Sequence, residues 1–218
     1  MKKIITENKI FYASYFIIFV VFVLLNYLLR DEQFTYQINQ HHNTFLDFIC
    51  RYFTHIGDGF FSVFIILLLF AYNKSFAIAV SISYAISSGI AQGLKHVIFD
   101  DSMRPSVVMK NVYLHFVDGV EILHQNSFPS GHTTAAFAAF TLFALFFRSR
   151  WLQLLFLLCA VFVAFTRIYL LQHFLSDIIA GSFIGLTTAT FTYLYSIENK
   201  FTDRIIAWFD FNKSKNGK

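Results

Sequence analysis

The chain has 218 residues, of which 56% are apolar, 20% aromatic and 14% charged, with a mean hydropathy of +0.56. A soluble domain is usually about 25% charged, so these values exclude a disordered chain and a disulfide-stapled miniprotein and disfavour a soluble enzyme. The net charge is +4, but the basic residues are spread along the chain rather than gathered on a polar domain, which excludes a basic nucleic-acid binder and leaves an integral membrane protein.

A spanning helix needs about 20 mostly apolar residues, because the hydrocarbon core is ~30 Å thick and the helix rises ~1.5 Å per residue. Six stretches meet that description: 10–29, 53–72, 76–94, 130–147, 151–168 and 174–195. The first follows Lys2, Lys3 and Lys9, as a signal peptide would. It is too long for such a segment and ends Leu28-Leu29-Arg30 without a small-residue cleavage site, so it reads as a retained span. The expected fold is all-α: one polytopic membrane domain over residues 1–218, a bundle of six transmembrane helices.

Six spans put both termini on one side. Eleven basic residues fall there: Lys2, Lys3, Lys9, Lys74, Arg148, Arg150, Lys200, Arg204, Lys213, Lys215 and Lys218. Six fall on the other side: Arg30, Arg51, Lys95, Arg104, Lys110 and Arg167. The positive-inside bias then makes both termini cytoplasmic. The connections after spans one, three and five face outward.

The first outward connection carries Phe45, Leu46, Phe48, Ile49, Tyr52 and Phe53 at helical spacing, with Asp47 and Arg51 on the polar side. Residues 43–56 either form an interfacial helix lying on the membrane or simply extend span two. Cys50 and Cys159 sit in different surroundings and are not expected to pair. His41-His42 suggests a metal only weakly, because no further ligand pattern accompanies it. His55, His96, His115 and His124 read as spectators.

The deeper parts of all six spans carry no Asp, Glu, Lys or Arg, which argues against a pump or coupled transporter. The informative ionisable groups lie at the outward ends of spans three to six. Pro129-Ser130-Gly131-His132 opens span four. Proline is favoured at a helix start, and Ser130 and Gly131 then present N–H groups at the positive end of the helix, a ready anion site. A plain capped helix start is the alternative. Between spans five and six, His173 and Asp177 are four apart and share a helical face, so the carboxylate can fix the imidazole tautomer and leave the second ring nitrogen free as a nucleophile. Arg167 offers a planar, permanently charged fork to phosphate oxygens. A surface ion pair in a polar turn is the bland version of this cluster. Lys95 and Arg104-Pro105 close span three, where cations could neutralise a phosphate or serve as snorkelling anchors.

Together these clusters resemble the type 2 phosphatidic acid phosphatase superfamily of integral membrane lipid phosphatases. That family carries a Lys…Arg-Pro element, a Pro-Ser-Gly-His element and an Arg-x5-His-x3-Asp element, here Lys95…Arg104-Pro105, Pro129-Ser130-Gly131-His132 and Arg167…His173…Asp177. The resemblance covers roughly residues 76–195. Eight residues separate Lys95 from Arg104 where six are usual, and Thr166 stands where Ser is common. The resemblance implies that His173 attacks phosphorus, that Asp177 orients it and that His132 protonates the leaving oxygen. Lys95, Arg104, Ser130, Gly131 and Arg167 would hold the phosphoryl group, with no metal or other cofactor. It implies a lipid phosphate or diphosphate substrate taken from the surrounding membrane lipids at the outer face of the plasma membrane, with undecaprenyl diphosphate or a glycerophospholipid phosphate (phosphatidylglycerol phosphate, phosphatidate) favoured and a lipid A phosphate as the alternative. A lipid-to-lipid phosphotransferase and a catalytically dead scaffold are the competing readings. The glycine pairs Gly89/Gly93 and Gly181/Gly185 have the spacing of close helix contacts.

Overall fold

The computed structural model describes residues 2–216, with side chains described through residue 208. Among the described residues every regular element is helical. A short α1 (Lys2–Glu7) leads into α2 (Lys9–Gln40), then α3 (Thr44–Phe53), a tight 3-10 turn (Thr54–Gly57) and α4 (Gly59–Tyr72). α5 (Lys74–Gly93) continues into a π-turn (Leu94–Ile98). A long connection holding only α6 (Pro105–Val108) reaches α7 (Gly131–Phe147). α8 (Arg150–Tyr169), α9 (Leu175–Tyr193, extended by a π-turn, Leu194–Glu198) and α10 (Phe201–Asn216) complete the chain.

Each of the six apolar stretches is helical. Four helices are long and apolar enough to cross a membrane: Lys9–Gln40, Lys74–Ile98, Arg150–Tyr169 and Leu175–Glu198. A fifth crossing arises if Thr44–Gly57 and Gly59–Tyr72 count as one span bent by 58°. Gly131–Phe147 is apolar but shorter. Its position explains why: α7 packs against α5, α8 and α9 and is the centre of the bundle rather than part of its rim. The small side chains of Ala135, Ala136, Ala138 and Ala144, all buried, let the neighbours close around it.

The first apolar stretch ends at residue 29, where helix α2 is interrupted. The chain breaks at Arg30 (φ 56°, ψ 160°) and resumes as helix to Gln40, because Phe34 and Ile38 pack onto the core and Thr35 and Asn39 are buried. The stretch 53–72 is bent by 58° between Gly57 and Gly59. Asp58 accepts from Phe61 N at 2.9 Å and starts α4 as a fresh helix, so α3 is a separate element.

Two apolar cores stabilise the bundle. One joins Phe11, Tyr15, Phe137, Leu157, Ile168 and Ile178 from α2, α7, α8 and α9. The other joins Ile4, Phe76, Val80, Leu142 and Tyr193 from α1, α5, α7 and α9. Polar links cross the interior at Tyr12–Thr190 (3.0 Å) and Tyr15–Ser182 (3.2 Å). The two glycine pairs differ. A Cβ at Gly181 would lie 2.7 Å from the Ser130 carbonyl oxygen, and one at Gly185 would strike the Thr134 carbonyl, so both permit α9 to lie on α7. Gly89 and Gly93 face open space and mediate no such contact. At the opposite end from the long connection, Arg148 pairs with Glu198 (2.7 Å) and Glu7 (3.6 Å), gathering both termini at one end. Cys50 and Cys159 are free thiols.

Candidate active site

The three motif elements converge at the end of the bundle away from the termini. The joint is made by backbone: Ser130 N donates to the Asp177 carbonyl at 3.1 Å, which ties the first turn of α7 to the first turn of α9. Ser130 caps α7, and its Oγ accepts from Thr133 Oγ1 at 2.9 Å and Thr133 N at 3.4 Å. Gly131 faces open space, with no heavy atom near where a side chain would begin. His132 follows, half-buried, within electrostatic reach of Arg167, His173 and Lys95.

His173 sits on the short connection between α8 and α9. That connection folds back so that Gln172 N and His173 N both donate to the Arg167 carbonyl, at 2.9 and 3.1 Å. His173 is 2% exposed, and its Nδ1 lies 3.2 Å from Asp177 Oδ2. The same carboxylate oxygen accepts from Phe174 N at 3.0 Å and from Ser127 Oγ at 2.5 Å. Burial, reinforced by the positive charges of Arg104, Arg167 and Lys95, holds the His173 imidazole well below its ordinary 6.5. The ring is therefore neutral at physiological pH, with Nδ1 engaged and Nε2 available.

The cations differ in how they are held. Lys95 is buried in the π-turn, and among the described residues its ammonium makes no hydrogen bond or ion pair. Between Lys95 and Arg104 the chain passes through the rest of the π-turn and a tight turn after it. Lys95 stays within electrostatic reach of Arg104, Arg167 and Asp177, while Asp100 and Asp101 are exposed. Arg104 acts largely as a clip. Its Nε donates to the Gln125 carbonyl (2.8 Å), Nη1 to the Gln172 carbonyl (2.8 Å) and Gln172 Oε1 (3.2 Å), and Nη2 to the Asn126 carbonyl (3.3 Å). One N–H and the full positive charge remain for a ligand. Arg167, at the end of α8, is buried. Its Nη1 donates to Thr54 Oγ1 at 2.5 Å, and its Nε has no partner.

Several residues that hold this arrangement carry no motif of their own. Ser127 anchors Asp177, Gln172 links Arg104 to the Glu121 carbonyl, and Asp31 Oδ1 accepts from Ser176 N at 2.9 Å. This last contact caps α9 from α2, a role that Phe174 at the cap position cannot fill. None of these residues stands out in the sequence, although Ser127 lies two residues before the Pro-Ser-Gly-His run. His115, read from sequence as a spectator, stacks on His42 (centroids 3.8 Å apart), and His115 Nε2 bonds Asp47 at 3.0 Å. Among the described residues no group of three or more His, Cys, Asp or Glu is placed to hold a metal ion.

With this geometry the chain belongs to the PAP2 superfamily, whose family model matches residues 76–201. It is 26% identical over 163 residues to a lipid A 4'-phosphatase of Bacteroides thetaiotaomicron, a match covering 71% of this chain and 72% of that protein. A lipid A 1-phosphatase of Porphyromonas gingivalis is 38% identical over 73 residues, which is 33% of this chain but 16% of that protein. A lipid A 1-phosphatase of Rhizobium etli is 42% identical over 59 residues, 27% of this chain and 25% of that protein. The chain thus spans a quarter or less of the length of these two relatives. In fold it is similar to Aquifex aeolicus LpxE, with a TM-score of 0.66 at 22% identity over 74% of this chain and 93% of that one. It is also similar to the PAP2-type phosphatidylglycerolphosphate phosphatase of Bacillus subtilis, with a TM-score of 0.64 at 20% identity over 87% of this chain and 96% of that one.

Proposed function

We propose that this protein is a multi-pass membrane phosphatase that hydrolyses a lipid phosphate at the outer face of the plasma membrane through a phosphohistidine. The observation that carries the reading is the neutral, Asp177-held His173 facing the same cup as His132 and three buried cations. His173 Nε2 attacks phosphorus, the bond to the lipid oxygen breaks, and His132, which takes up a proton as the anionic phosphate binds beside it, delivers that proton to the leaving oxygen. Asp177 keeps the Nδ1 proton in place and stabilises the imidazolium character that develops. Water then attacks the phosphohistidine, giving its proton to His132, and inorganic phosphate leaves. Lys95, Arg167 and the charge of Arg104 balance the phosphoryl oxygens, with Ser130 and the Gly131 amide at the helix start. Fixed cations of this kind supply the stabilisation that phosphoryl transfer elsewhere draws from a metal, so turnover needs none.

Six spans with cytoplasmic termini fit this reading. Six crossings would add the bent 44–72 segment and the shorter α7 to the four long apolar helices, and the sequence on the terminal side carries the larger share of basic residues. Helix α3, set off from α4, would lie at the outer interface beside the cup. The substrate class we favour is a phosphate of lipid A, supported by the match to the Bacteroides thetaiotaomicron enzyme across most of both chains. Phosphatidylglycerol phosphate, phosphatidate and undecaprenyl diphosphate are the other lipids to compare.

The test is phosphate release by the purified protein in detergent against each of these lipids, with EDTA present and with His173→Ala as control. Release from lipid A phosphate that survives EDTA and disappears in the variant supports the proposal. Transfer to a second lipid without free phosphate would make it a phosphotransferase, and EDTA-sensitive release would refute metal independence.

A further inference from the structure

The family match begins at residue 76, yet a stretch before it reaches the same cup. The 3-10 turn Thr54–Gly57 lies between α3 and α4 and touches two of the site residues directly. Thr54 and Arg167 are both buried, each 6% exposed, and the Thr54 hydroxyl is the sole side-chain partner of the Arg167 guanidinium among the described residues. The Arg167 Nε is buried without an acceptor. Buried donors in native proteins are nearly always paired, so an unpaired one beside Lys95, Arg104 and His173 marks where an incoming oxygen belongs. Three residues on, Gly57 rests against His132. A Cβ at that position would lie 2.8 Å from the His132 carbonyl oxygen and 3.0 Å from its Cβ. The turn is itself pinned, because Asp58 caps α4 and also takes His55 Nδ1 at 3.1 Å.

We propose that this turn is a fourth element of the site, with Thr54 as a positioning residue that aims the Arg167 fork at the phosphoryl group and Gly57 as the stop that sets the depth of His132. An arginine side chain is long and rotamer-rich, and a fork useful for bidentate contact must be held in one plane. The hydrogen bond from Nη1 to Thr54 supplies that hold from outside α8, leaving Nε and Nη2 directed at the ligand. A misplacement of about 1 Å in such a group costs roughly 100-fold in rate.

This inference rests on the phosphatase reading, and its test separates the two. Thr54→Val keeps the shape and removes the acceptor, Thr54→Ser keeps the acceptor, and Thr54→Ala serves if Val does not fold. Two readouts are taken: kcat and KM for phosphate release, and the thermal shift produced by orthovanadate, which needs no turnover. Thr54→Val is expected to lower kcat about 10- to 100-fold with KM within about twofold, and to reduce the orthovanadate shift. Thr54→Ser should restore both. In an Arg167→Lys background the same Thr54→Val change should cost less than about twofold, since the interaction is already gone. Wild-type kcat and an intact orthovanadate shift in Thr54→Val would overturn the inference while leaving the phosphatase reading standing. So would an equal loss in Thr54→Ser, or full additivity with Arg167→Lys. If the wild type releases no phosphate but orthovanadate still shifts its melting, the variant's shift alone decides. If the wild type shows neither, both proposals fall.

Discussion

The Ser127 hydroxyl donates to Asp177 Oδ2 at 2.5 Å, on the same oxygen that faces His173 Nδ1 at 3.2 Å and accepts from Phe174 N at 3.0 Å. One carboxylate oxygen therefore joins the loop before α7, the proposed nucleophile and the start of α9. Removing the hydroxyl leaves a buried carboxylate short of a donor. Hydrogen bonds to charged groups contribute about 1.5–3 kcal/mol. Ser127→Ala should therefore lower stability by about that amount and slow formation of the phosphoenzyme. Thermal unfolding in detergent and single-turnover rates check both, and an unchanged melting temperature would contradict the arrangement.

The pH dependence of His173 has a definite sign. Its folded pKa lies well below 6.5, from burial first and then the charges of Arg104, Arg167 and Lys95. Above pH 6.5 the ring is neutral whether the chain is folded or not, and it costs nothing. As pH falls below 6.5 the unfolded chain takes up a proton that the folded chain refuses, so stability falls with pH. The proposed nucleophile therefore stays neutral to lower pH than an ordinary imidazole. The acidic limb for phosphoenzyme formation should lie below pH 6.5 in single-turnover experiments, and a limb at or above 6.5 would contradict the charge arrangement.

Asp31 provides a cap for a helix it does not belong to. Asp31→Ala removes the acceptor for Ser176 N and should cost about 1 kcal/mol, read as a lower melting temperature. Asp31→Asn keeps an acceptor oxygen and should recover most of the loss. Equal melting of wild type and Asp31→Ala would show that α9 starts without help from α2.

The two glycine pairs give opposite expectations from the same spacing. Gly185→Ala drives a methyl into Thr134, Phe137 and Ala138 of α7, an overpacking that typically costs about 1–3 kcal/mol. Gly89→Ala and Gly93→Ala place a methyl in open space and should be neutral or stabilising by up to ~1 kcal/mol through helix propensity. Thermal unfolding of the three variants side by side decides the point.

That contrast also shows what could be read in advance. Apolar length located stretches that prove largely helical, and the residue types of three short elements pointed to one cup before any contact was known. The spacing Gly-x3-Gly did not distinguish a packed face from an open one, because the distinction depends on which helix lies opposite. Arg104 was legible as a cation, but not as a clip for the carbonyls of Gln125, Asn126 and Gln172, which come from chain far away in sequence. Thr54, Asp31 and Ser127 were invisible for a similar reason. Single hydroxyls and carboxylates have no signature until a distant partner fixes their use. The helix beyond Arg30 was hidden because the polar run there is helical only through burial of Phe34, Thr35, Ile38 and Asn39 against the rest of the chain.

The account turns on His173 taking the phosphoryl group. Rapid quenching of the purified enzyme with a lipid substrate labelled in its phosphate, followed by peptide mapping, tests this directly. An acid-labile, base-stable phosphate on His173, formed at a rate no slower than phosphate release and absent from His173→Ala, is the predicted result. Full turnover with no protein-bound label, or label on any other side chain, would contradict it.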